Sequence, residues 1–472
     1  MHPAFTSGDL QRLTNLHIAD CTCGKEHRIT TQAIVLGAGV LKPKLPSLVE
    51  KYFPAGAPGA ACVLVADKNT WKVAGEAVEA VLKAAKRKCV RQILTGHGSG
   101  AGGGELHADD AAVDALAAAL RKEQKANPVL GVVAIGAGTI NDIAKVASTA
   151  VGVPLITIPT AASMNGYTSA IGAILSDGVK TTQACKPPVA ILADVEVIAT
   201  APHAMTAAGF ADLLSKSASG ADWMLGHILH GDYYCAGPAR VVDQAIQNAI
   251  AKRHAIRKGE AAGIQALTEA LLLSGISMAL AGSSSPASGG EHLISHLWDM
   301  TAHWTGRTPA LHGAQTGVTT LISLALYEKL WGVEASELIR LPIEPAFASP
   351  AALKKGLTAR FKDLAEAVVP IAQKKYQTVE DLVRRRKLIF DHWEEIRDEL
   401  KPITVAPAVS RQWLIDAGAP VTVQALAVAP EELRFAYDNA RWIRNRYTVL
   451  DLAADLGMLG TWREEVLNAA MV

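Results

Sequence analysis

The sequence has few cysteines, few aromatic residues and almost no excess charge of either sign. Its 472 residues contain six cysteines and 5% aromatic residues, and 46 lysines and arginines stand against 45 aspartates and glutamates. Six cysteines in a chain of this length exclude a disulfide-rich scaffold. The formal net charge of +1 argues against a protein that coats nucleic acid, and together with 50% hydrophobic residues it argues against a disordered chain.

The sequence also lacks an apolar run long enough to cross a membrane. The longest uncharged stretch, 270–290, reads ALLLSGISMALAGSSSPASGG, and its second half is rich in serine, glycine and proline. A span requires about 20 apolar residues, so this stretch predicts a buried core helix followed by a loop. The first fifteen residues show no basic start and no apolar core of a signal peptide. We therefore expect a cytoplasmic protein with no membrane span.

The first 195 residues alternate short apolar segments with amphipathic ones. Strands are predicted at 60–70, 91–96, 129–138, 153–160 and 188–194, and helices at 71–88 and 109–124. Such alternation is typical of βαβ units and a parallel sheet. The sequence therefore predicts a Rossmann-like α/β domain over residues 1–195.

From about residue 196 the patterns become helical, with few strand signals. Apolar residues recur at helical spacing between glycines and prolines, and the polar segment 256–263 (IRKGEAAG) is typical of a surface connection. The sequence predicts an all-helical domain over residues 196–472.

The segment 132–145 (VVAIGAGTINDIAK) carries most of the nucleotide-binding signal. A predicted strand ends in glycines Gly136 and Gly138, where the backbone can approach a ligand, and the amides of the following helix can face a phosphate. Thr139 and Asn141 could cap that helix or donate to phosphate oxygens. The pattern departs from GxGxxG, so an ordinary strand-to-helix turn is an equal alternative to a pyrophosphate site.

Two further loops follow predicted strands. Asp67 lies where the first strand ends, and its carboxylate could accept hydrogen bonds from a ribose, which would favour NAD over NADP. The alternative is a turn-forming aspartate in the sequence DKNT. The second loop, in the segment 156–170, contains Asn165 and is rich in hydroxyl groups, namely Thr160, Ser163, Thr168 and Ser169. Ligands bind at the carboxyl ends of parallel strands in this architecture.

One carboxylate and three histidines form a candidate metal site. Asp212 lies in an apolar helical run, where an unpaired charge is costly. His292 and His296 are four residues apart on one predicted helix face, and His312 lies beside a glycine. These groups suit Zn²⁺ or another divalent first-row metal, although each histidine alone is typical of a packed core or surface residue.

A second set of metal-binding groups occurs near the amino terminus. Cys21, Cys23 and His27 lie within the sequence CTCGKEH. A CxC pair with one histidine is an incomplete donor set for a metal. A structural or incidental role is therefore the favoured interpretation.

Several motifs occur in a fixed order along nearly the whole chain. They are DCTCGKEH, GAGTINDIAK, IPTAASMNGYTS, GFADLLSK, PASGGEHLISHLWDM, LHGAQTGV and RNRYTVLDLAADLG. In this order and spacing they resemble the glycerol-1-phosphate dehydrogenases of the AraM-like branch, within the iron-containing alcohol dehydrogenase / dehydroquinate synthase superfamily. The resemblance implies an α/β nucleotide-binding domain followed by a helical domain that binds metal and substrate. It also implies NAD or NADP, one divalent metal (Zn²⁺, with Fe²⁺ or Ni²⁺ as alternatives) and a homodimer or larger assembly.

The resemblance also assigns residue roles. Asp212, His292 and His312 would be the metal ligands, with Asp212 also touching substrate. His296 would contact substrate or transfer a proton, and Asn165 falls on a substrate-contacting position. The expected cofactor residues are Gly138, Thr139, Ile140, Asn141, Asp142, Thr160, Ser163 and Ser169.

The resemblance implies a reversible hydride transfer that interconverts sn-glycerol 1-phosphate and dihydroxyacetone phosphate. Two residues depart from the family pattern near the substrate, because Asn165 replaces an aspartate and Ser285 replaces an arginine. A dehydrogenase for another polyol, or a sugar phosphate cyclase that uses NAD catalytically, is therefore an alternative. A non-catalytic nucleotide- or metal-binding protein is a third. The candidate cations for a substrate phosphate are Lys216, Arg444 and Arg446.

Overall fold

The computed structural model describes Phe5 and residues 8–53, 59–96, 106–176, 178–338, 340–341 and 343–471. The chain forms two compact units. The first contains Met1–Leu213 and Ala236–Ser283, and the second contains Leu214–Cys235 and Ser284–Val472. This division differs from the predicted boundary after residue 195. The difference arises because the apolar helix Ala261–Ala281 packs on helices and strands of the first unit.

The strands all lie in the first unit. They are β1 His17–Ile18, β2 His27–Arg28, β3 Ala33–Gly37, β4 Ala61–Asp67, β5 Lys88–Leu94, β6 Val129–Gly136, β7 Leu155–Pro159, β8 Ile171–Ser176, β9 Val179–Ala184 and β10 Ala190–Asp194. Six of them form a parallel sheet in the order β3-β10-β7-β6-β4-β5. The pairs β1–β2 and β8–β9 are antiparallel. The predicted parallel α/β class is confirmed.

The helices are numbered in chain order. They are α1 Leu10–Leu13, α2 Leu41–Tyr52, α3 Lys68–Thr70, α4 Glu76–Ala84, α5 Asp110–Ala126, α6 Gly138–Val151, α7 Val195–Ile198, α8 His203–Leu214, α9 Lys216–His230, α10 Ala236–Arg240, α11 Asp243–Ala251, α12 Arg253–Arg257 and α13 Ala261–Ala281. They continue with α14 Gly290–Thr305, α15 His312–Trp331, α16 Ala335–Leu338, α17 Pro350–Phe361, α18 Ala365–Gln373, α19 Val379–Asp391, α20 Trp393–Leu400, α21 Pro407–Ala417, α22 Pro430–Asn439, α23 Val449–Asp455 and α24 Arg463–Met471. The regular elements in the described part of the second unit are all helical, as predicted.

Both faces of the sheet are covered by helices, which explains why its central strands are apolar throughout. On β4, Cys62 and Leu64 face a core shared with α2 and α4, whereas Val63 and Val65 face a core shared with α5 and α6. A strand buried on both faces has no polar side, so β4 reads as a continuous apolar run. The helix predicted over 71–88 starts as a π-helical turn and ends at Ala84, and β5 begins at Lys88.

Helix α13 is apolar on every side. By length and composition it could cross a membrane, but 83% of its most apolar window is buried within the protein. It ends at Gly282, which adopts a left-handed conformation with φ of 66°. Gly282 is followed by the serine-rich connection to α14, so the predicted core helix and loop over 270–290 agree with the structure.

Candidate active site

The turn between β6 and α6 leaves no room for a side chain at position 136. Gly136 ends β6, and a Cβ there would lie 2.5 Å from the Cβ of Ile140. The helix cap is Ala137, which provides no side-chain hydrogen bond, so capping by Thr139 or Asn141 does not occur. The first amides of α6, from Gly138 onward, therefore lie at a helix start without a side-chain cap, a kind of position that can bind an anion.

Asn141 is directed into the protein. Its side chain is fully buried, its Oδ1 accepts a hydrogen bond from Thr157 Oγ1 at 3.1 Å, and its Nδ2 lies 3.3 Å from Asp142 Oδ1. The side chain thus links α6 to strand β7. The Asn141 side chain therefore stabilises the turn from the protein interior, and its amide is not presented at the start of α6.

Asp142 and Ser169 belong to a buried network around Lys145, a residue that sequence reasoning missed. The Lys145 ammonium lies 3.1 Å from Asp142 Oδ1 and 3.2 Å from Ser169 Oγ, and it donates to the carbonyls of Gly166 at 2.8 Å and Ile171 at 2.6 Å. The side chain is fully buried. The network fixes the loop of residues 160–170, called the hydroxyl loop below. A lysine three residues after an aspartate in an apolar helix was the only available signal.

The hydroxyl loop also packs against two helix glycines. A Cβ on Gly209 of α8 would lie 1.9 Å from the Ala162 carbonyl oxygen, and a Cβ on Gly275 of α13 would lie 2.1 Å from Thr168 Oγ1. At its start, the Thr160 amide donates to the Gly136 carbonyl at 3.2 Å. Two helices and the β6–α6 turn therefore hold the loop in one position.

We expect Gly209→Ala to disturb this packing, because a methyl group cannot occupy space within 1.9 Å of a backbone oxygen. The loop must move, at a cost toward or above the upper end of the roughly 1–3 kcal/mol typical of overpacking. Thermal unfolding and the KM for substrate measure the effect. Gly220→Ala is the matched control, since its Cβ would meet only the Ile403 side chain, at 3.3 Å. Equal melting temperatures and KM values for the two variants would contradict the expectation.

Asn165 and Asp212 lie together in the first unit. The backbone amide of Asn165 donates to Asp212 Oδ2 at 3.1 Å, and the Asp212 carboxylate is fully buried. Asn165 Nδ2 is buried without a hydrogen-bond partner among the described residues. Asn165 Nδ2 is thus a buried donor without a hydrogen-bond partner in the described part of the chain, on a residue that contacts the Asp212 carboxylate. This is the property expected of a residue that binds a ligand. Ser163, half-buried, lies in the same loop.

Asp67 ends β4 and caps the short helix α3. Its Oδ1 accepts hydrogen bonds from the amides of Asn69 at 2.8 Å and Thr70 at 2.7 Å. The turn-forming role weighed in the sequence analysis is thus present. Because β4 and β6 are neighbours in the parallel sheet, Asp67 and Gly136 lie at the same edge.

The three candidate histidines cluster in the second unit. His292 and His296 lie on α14 and His312 begins α15, with ring centroids 5.1–5.8 Å apart. One donor atom of His292 and one of His312 lie within 4.8 Å of each other. The sequence predicts that His292 and His296 share one helix face, whereas only the structure shows that His312 lies beside them.

Glu291, which sequence reasoning also missed, orients His292. Its fully buried Oε1 lies 2.7 Å from His292 Nδ1 and accepts a second hydrogen bond from the Gly289 amide at 2.9 Å. A carboxylate on one ring nitrogen makes that nitrogen the proton donor and leaves Nε2 with a lone pair for a metal. The signal was the glutamate directly before the first histidine of GGEHLISH.

A buried aspartate anchors the start of α14. Asp222 accepts hydrogen bonds from the amides of Gly290 at 2.6 Å and Val449 at 2.7 Å and from the Tyr327 hydroxyl at 2.6 Å. Burial raises the pKa of Asp222 to about 7, and the nearby Glu291 adds to the shift. These hydrogen bonds fix the position of the amino-terminal end of α14, the helix that carries His292 and His296.

The cations proposed for a phosphate contact the loop that precedes α14. Lys216 Nζ donates to the Pro286 carbonyl at 2.8 Å, and Arg446 donates to Ser284 Oγ at 3.0 Å and to the Ser288 carbonyl. Burial lowers the pKa of Arg446 to about 10. Arg446 also lines a cavity of about 540 Å³. A phosphate role for these residues and for the half-buried Arg444 stays a prediction.

Comparison with known proteins places this chain among dehydrogenases. The sequence profile of the iron-containing alcohol dehydrogenases matches residues 40–202. A glycerol-1-phosphate dehydrogenase (NAD(P)+) of Halalkalibacterium halodurans is 36% identical over 311 residues, 66% of this chain and 74% of that protein. One from Bacillus licheniformis is 28% identical over 452 residues, 96% of each chain. The crystal structure of a glycerol dehydrogenase from Schizosaccharomyces pombe has a TM-score of 0.56 and 16% identity, over 93% of this chain and 91% of that one.

The comparisons confirm the resemblance drawn from the sequence motifs. The solved structure supports the fold, and the sequence relatives supply the family. The chain belongs to the family of the glycerol-1-phosphate dehydrogenases and is an NAD(P)-linked, metal-dependent oxidoreductase.

Proposed function

We propose that this protein interconverts sn-glycerol 1-phosphate and dihydroxyacetone phosphate by hydride transfer. The relatives that match most of the chain are glycerol-1-phosphate dehydrogenases. The observation that carries the proposal is His292, oriented by the buried carboxylate of Glu291 and adjacent to His312 and His296. Such a constellation serves metal-assisted chemistry at an alcohol or a carbonyl group.

The proposed metal ligands are Asp212, His292 and His312, three groups that could hold one ion. The donor set fits a divalent first-row metal, because it combines a carboxylate with imidazoles. Zn²⁺ is the proposed ion, and Fe²⁺ and Ni²⁺ are its alternatives. When bound, the metal supplies Lewis acidity that stabilises negative charge on the substrate oxygen.

The protein's own residues would bind substrate and move the proton. The His296 imidazole would accept the proton of the alcohol during oxidation and return it during reduction. The buried Nδ2 of Asn165 would donate a hydrogen bond to a substrate hydroxyl. Lys216, Arg444 and Arg446 are the cations available for the phosphate.

The β6–α6 turn would hold the NAD(P) pyrophosphate. The amides of Gly138, Thr139 and Ile140 at the start of α6 would donate to its oxygens, and the two turn glycines leave room for close approach. Asn141, Asp142 and Ser169 would support this turn from the protein interior. Thr160 and Ser163, on the adjoining hydroxyl loop, would complete the cofactor site. Asp67 Oδ1 caps α3, and the other carboxylate oxygen, Oδ2, would accept a hydrogen bond from the ribose and so favour NAD.

A cytoplasmic location and a homodimer or larger assembly stay predictions from the sequence.

The test is absorbance at 340 nm with metal-loaded protein, NADH or NADPH, and either dihydroxyacetone phosphate or dihydroxyacetone. We expect rapid oxidation with the phosphate ester and slow or no oxidation with the free ketone. Absence of turnover with both, despite nucleotide and metal binding, would overturn the proposal. It would then point to another polyol, or to a cyclase reaction in which the cofactor shows no net change.

A further inference from the structure

The motif CTCGKEH, which the proposed function leaves unused, forms a compact group of metal-binding side chains. Strands β1 and β2 pair as a short hairpin, and the two cysteines lie in its connection. Cys23 Sγ lies 3.3 Å from His27 Nε2. One donor atom each from Cys21, Cys23 and His27 lies within 4.8 Å of the others. Three donors of the kind that zinc prefers therefore converge on one point.

The orientation of His27 matches that of a metal ligand. Its Nδ1 lies 2.8 Å from the Leu280 carbonyl oxygen, and because a carbonyl only accepts hydrogen bonds, Nδ1 must carry the proton. Nε2 then has its lone pair directed toward Cys23. Histidines that bind metals are commonly fixed in this way by a backbone carbonyl on the other nitrogen. The His27 ring is fully buried, with the edge of Phe5 against it at 5.6 Å between centroids.

A fourth donor comes from far along the chain. Cys235 is buried and immediately precedes helix α10. A Cβ on Gly237 of that helix would lie 2.3 Å from the Phe5 ring, the same ring that packs on His27. The Ser277 hydroxyl donates to the Pro238 carbonyl, which ties α10 to α13, the helix that also provides the Leu280 carbonyl. Cys235 could thus complete a set of four donors.

We propose that Cys21, Cys23, His27 and Cys235 bind one structural Zn²⁺, separate from the metal used in hydride transfer. Three thiolates and one imidazole are a complete tetrahedral set and leave no position for water or substrate. Thiolate donors also select against Mg²⁺, Ca²⁺ and Mn²⁺. The ion would join the amino-terminal hairpin to the start of α10, alongside the contacts that Phe5 makes with His27 and Gly237. In the sequence alone the donor set is incomplete, because the proposed fourth ligand, Cys235, lies in the connection between α9 and α10.

The test is the metal content of the purified holoenzyme by mass spectrometry, beside the spectrum of the Co²⁺-substituted protein. Wild type is expected to hold about two ions per chain. Cys23→Ser is expected to lose about one ion and the thiolate-to-cobalt charge-transfer band, and to keep the hydride-transfer activity seen at 340 nm. Cys89→Ser, a cysteine on strand β5, is the matched control and should retain both ions.

Two results would overturn the proposal. One is a wild-type cobalt protein without a thiolate charge-transfer band, a measurement that needs no variant to fold. The other is a disulfide between Cys235 and either of the other two cysteines, found by peptide mapping without reductant. Loss of activity in Asp212→Ala with the thiolate band intact would separate this site from the proposed active-site metal.

Discussion

Asp212→Ala is expected to abolish hydride transfer while leaving the fold in place. The variant would remove the one carboxylate among the proposed ligands and the acceptor of the Asn165 amide. We expect kcat/KM to fall by at least about 1,000-fold, the scale of losing a strong electrostatic contribution to a transition state. The measurement is steady-state oxidation of NADH together with metal content. His203→Ala, at the exposed start of the same helix, is the control and should keep full activity.

Glu291→Gln separates metal affinity from catalysis in the same experiment. A glutamine oxygen can still accept from His292 Nδ1, but it lacks the charge that raises the basicity of the ring. We expect metal affinity to fall by roughly 10–100-fold, with activity restored at high metal concentration. Activity in Asp212→Ala equal to that of His203→Ala, or full metal affinity in Glu291→Gln, would contradict the assigned metal site.

Lys145→Met is expected to have the largest effect on stability. The change leaves Asp142 without its buried cation, and it removes donors from the carbonyls of Gly166 and Ile171. Removing one partner of a buried ion pair typically costs about 3–5 kcal/mol. Calorimetric unfolding and hydrogen exchange of the hydroxyl-loop amides would measure the loss. Lys122→Met, on the exposed face of α5, should change stability by no more than about 0.5 kcal/mol.

Two measurements together could contradict the expected stabilising role of Lys145. If its calorimetric transition matches that of Lys122→Met and the loop amides exchange at wild-type rates, the network does not hold the loop. A fall in stability without faster loop exchange would place the effect elsewhere in the first unit.

The parallel sheet and the glycine turn between β6 and α6 were predictable from the sequence. Strand β6 runs as a buried apolar segment directly into Gly136, and β4 shows the continuous apolar pattern of a strand covered on both faces. By contrast, β3 and α2 went unpredicted, since β3 has only five residues and most of them are half-buried. Helix α13 was recognised as a helix, but its uniformly apolar surface gave no sign of which unit it joins.

The supporting residues of the candidate site were less visible than its principal ones. Lys145 bonds to backbone carbonyls, which leave no trace in the identity of the residues that carry them. Asp222 fixes α14 through two backbone amides and Tyr327, which is distant in sequence. The proposed ligands could be selected from the sequence because histidine and aspartate are conspicuous in apolar helices. The groups that hold those ligands depend on contacts that only the fold creates.

In the hydroxyl loop, the backbone that carries Asn165 is held by contacts separate from the side chain that is proposed to contact the substrate. Its main chain is held by the Lys145 ammonium and packs against Gly209 and Gly275, whereas Asn165 Nδ2 has no hydrogen-bond partner among the described residues. In its proposed substrate role, the side chain at position 165 could therefore be exchanged without rebuilding the loop. A single replacement there would change the substrate preference and leave the fold as it is.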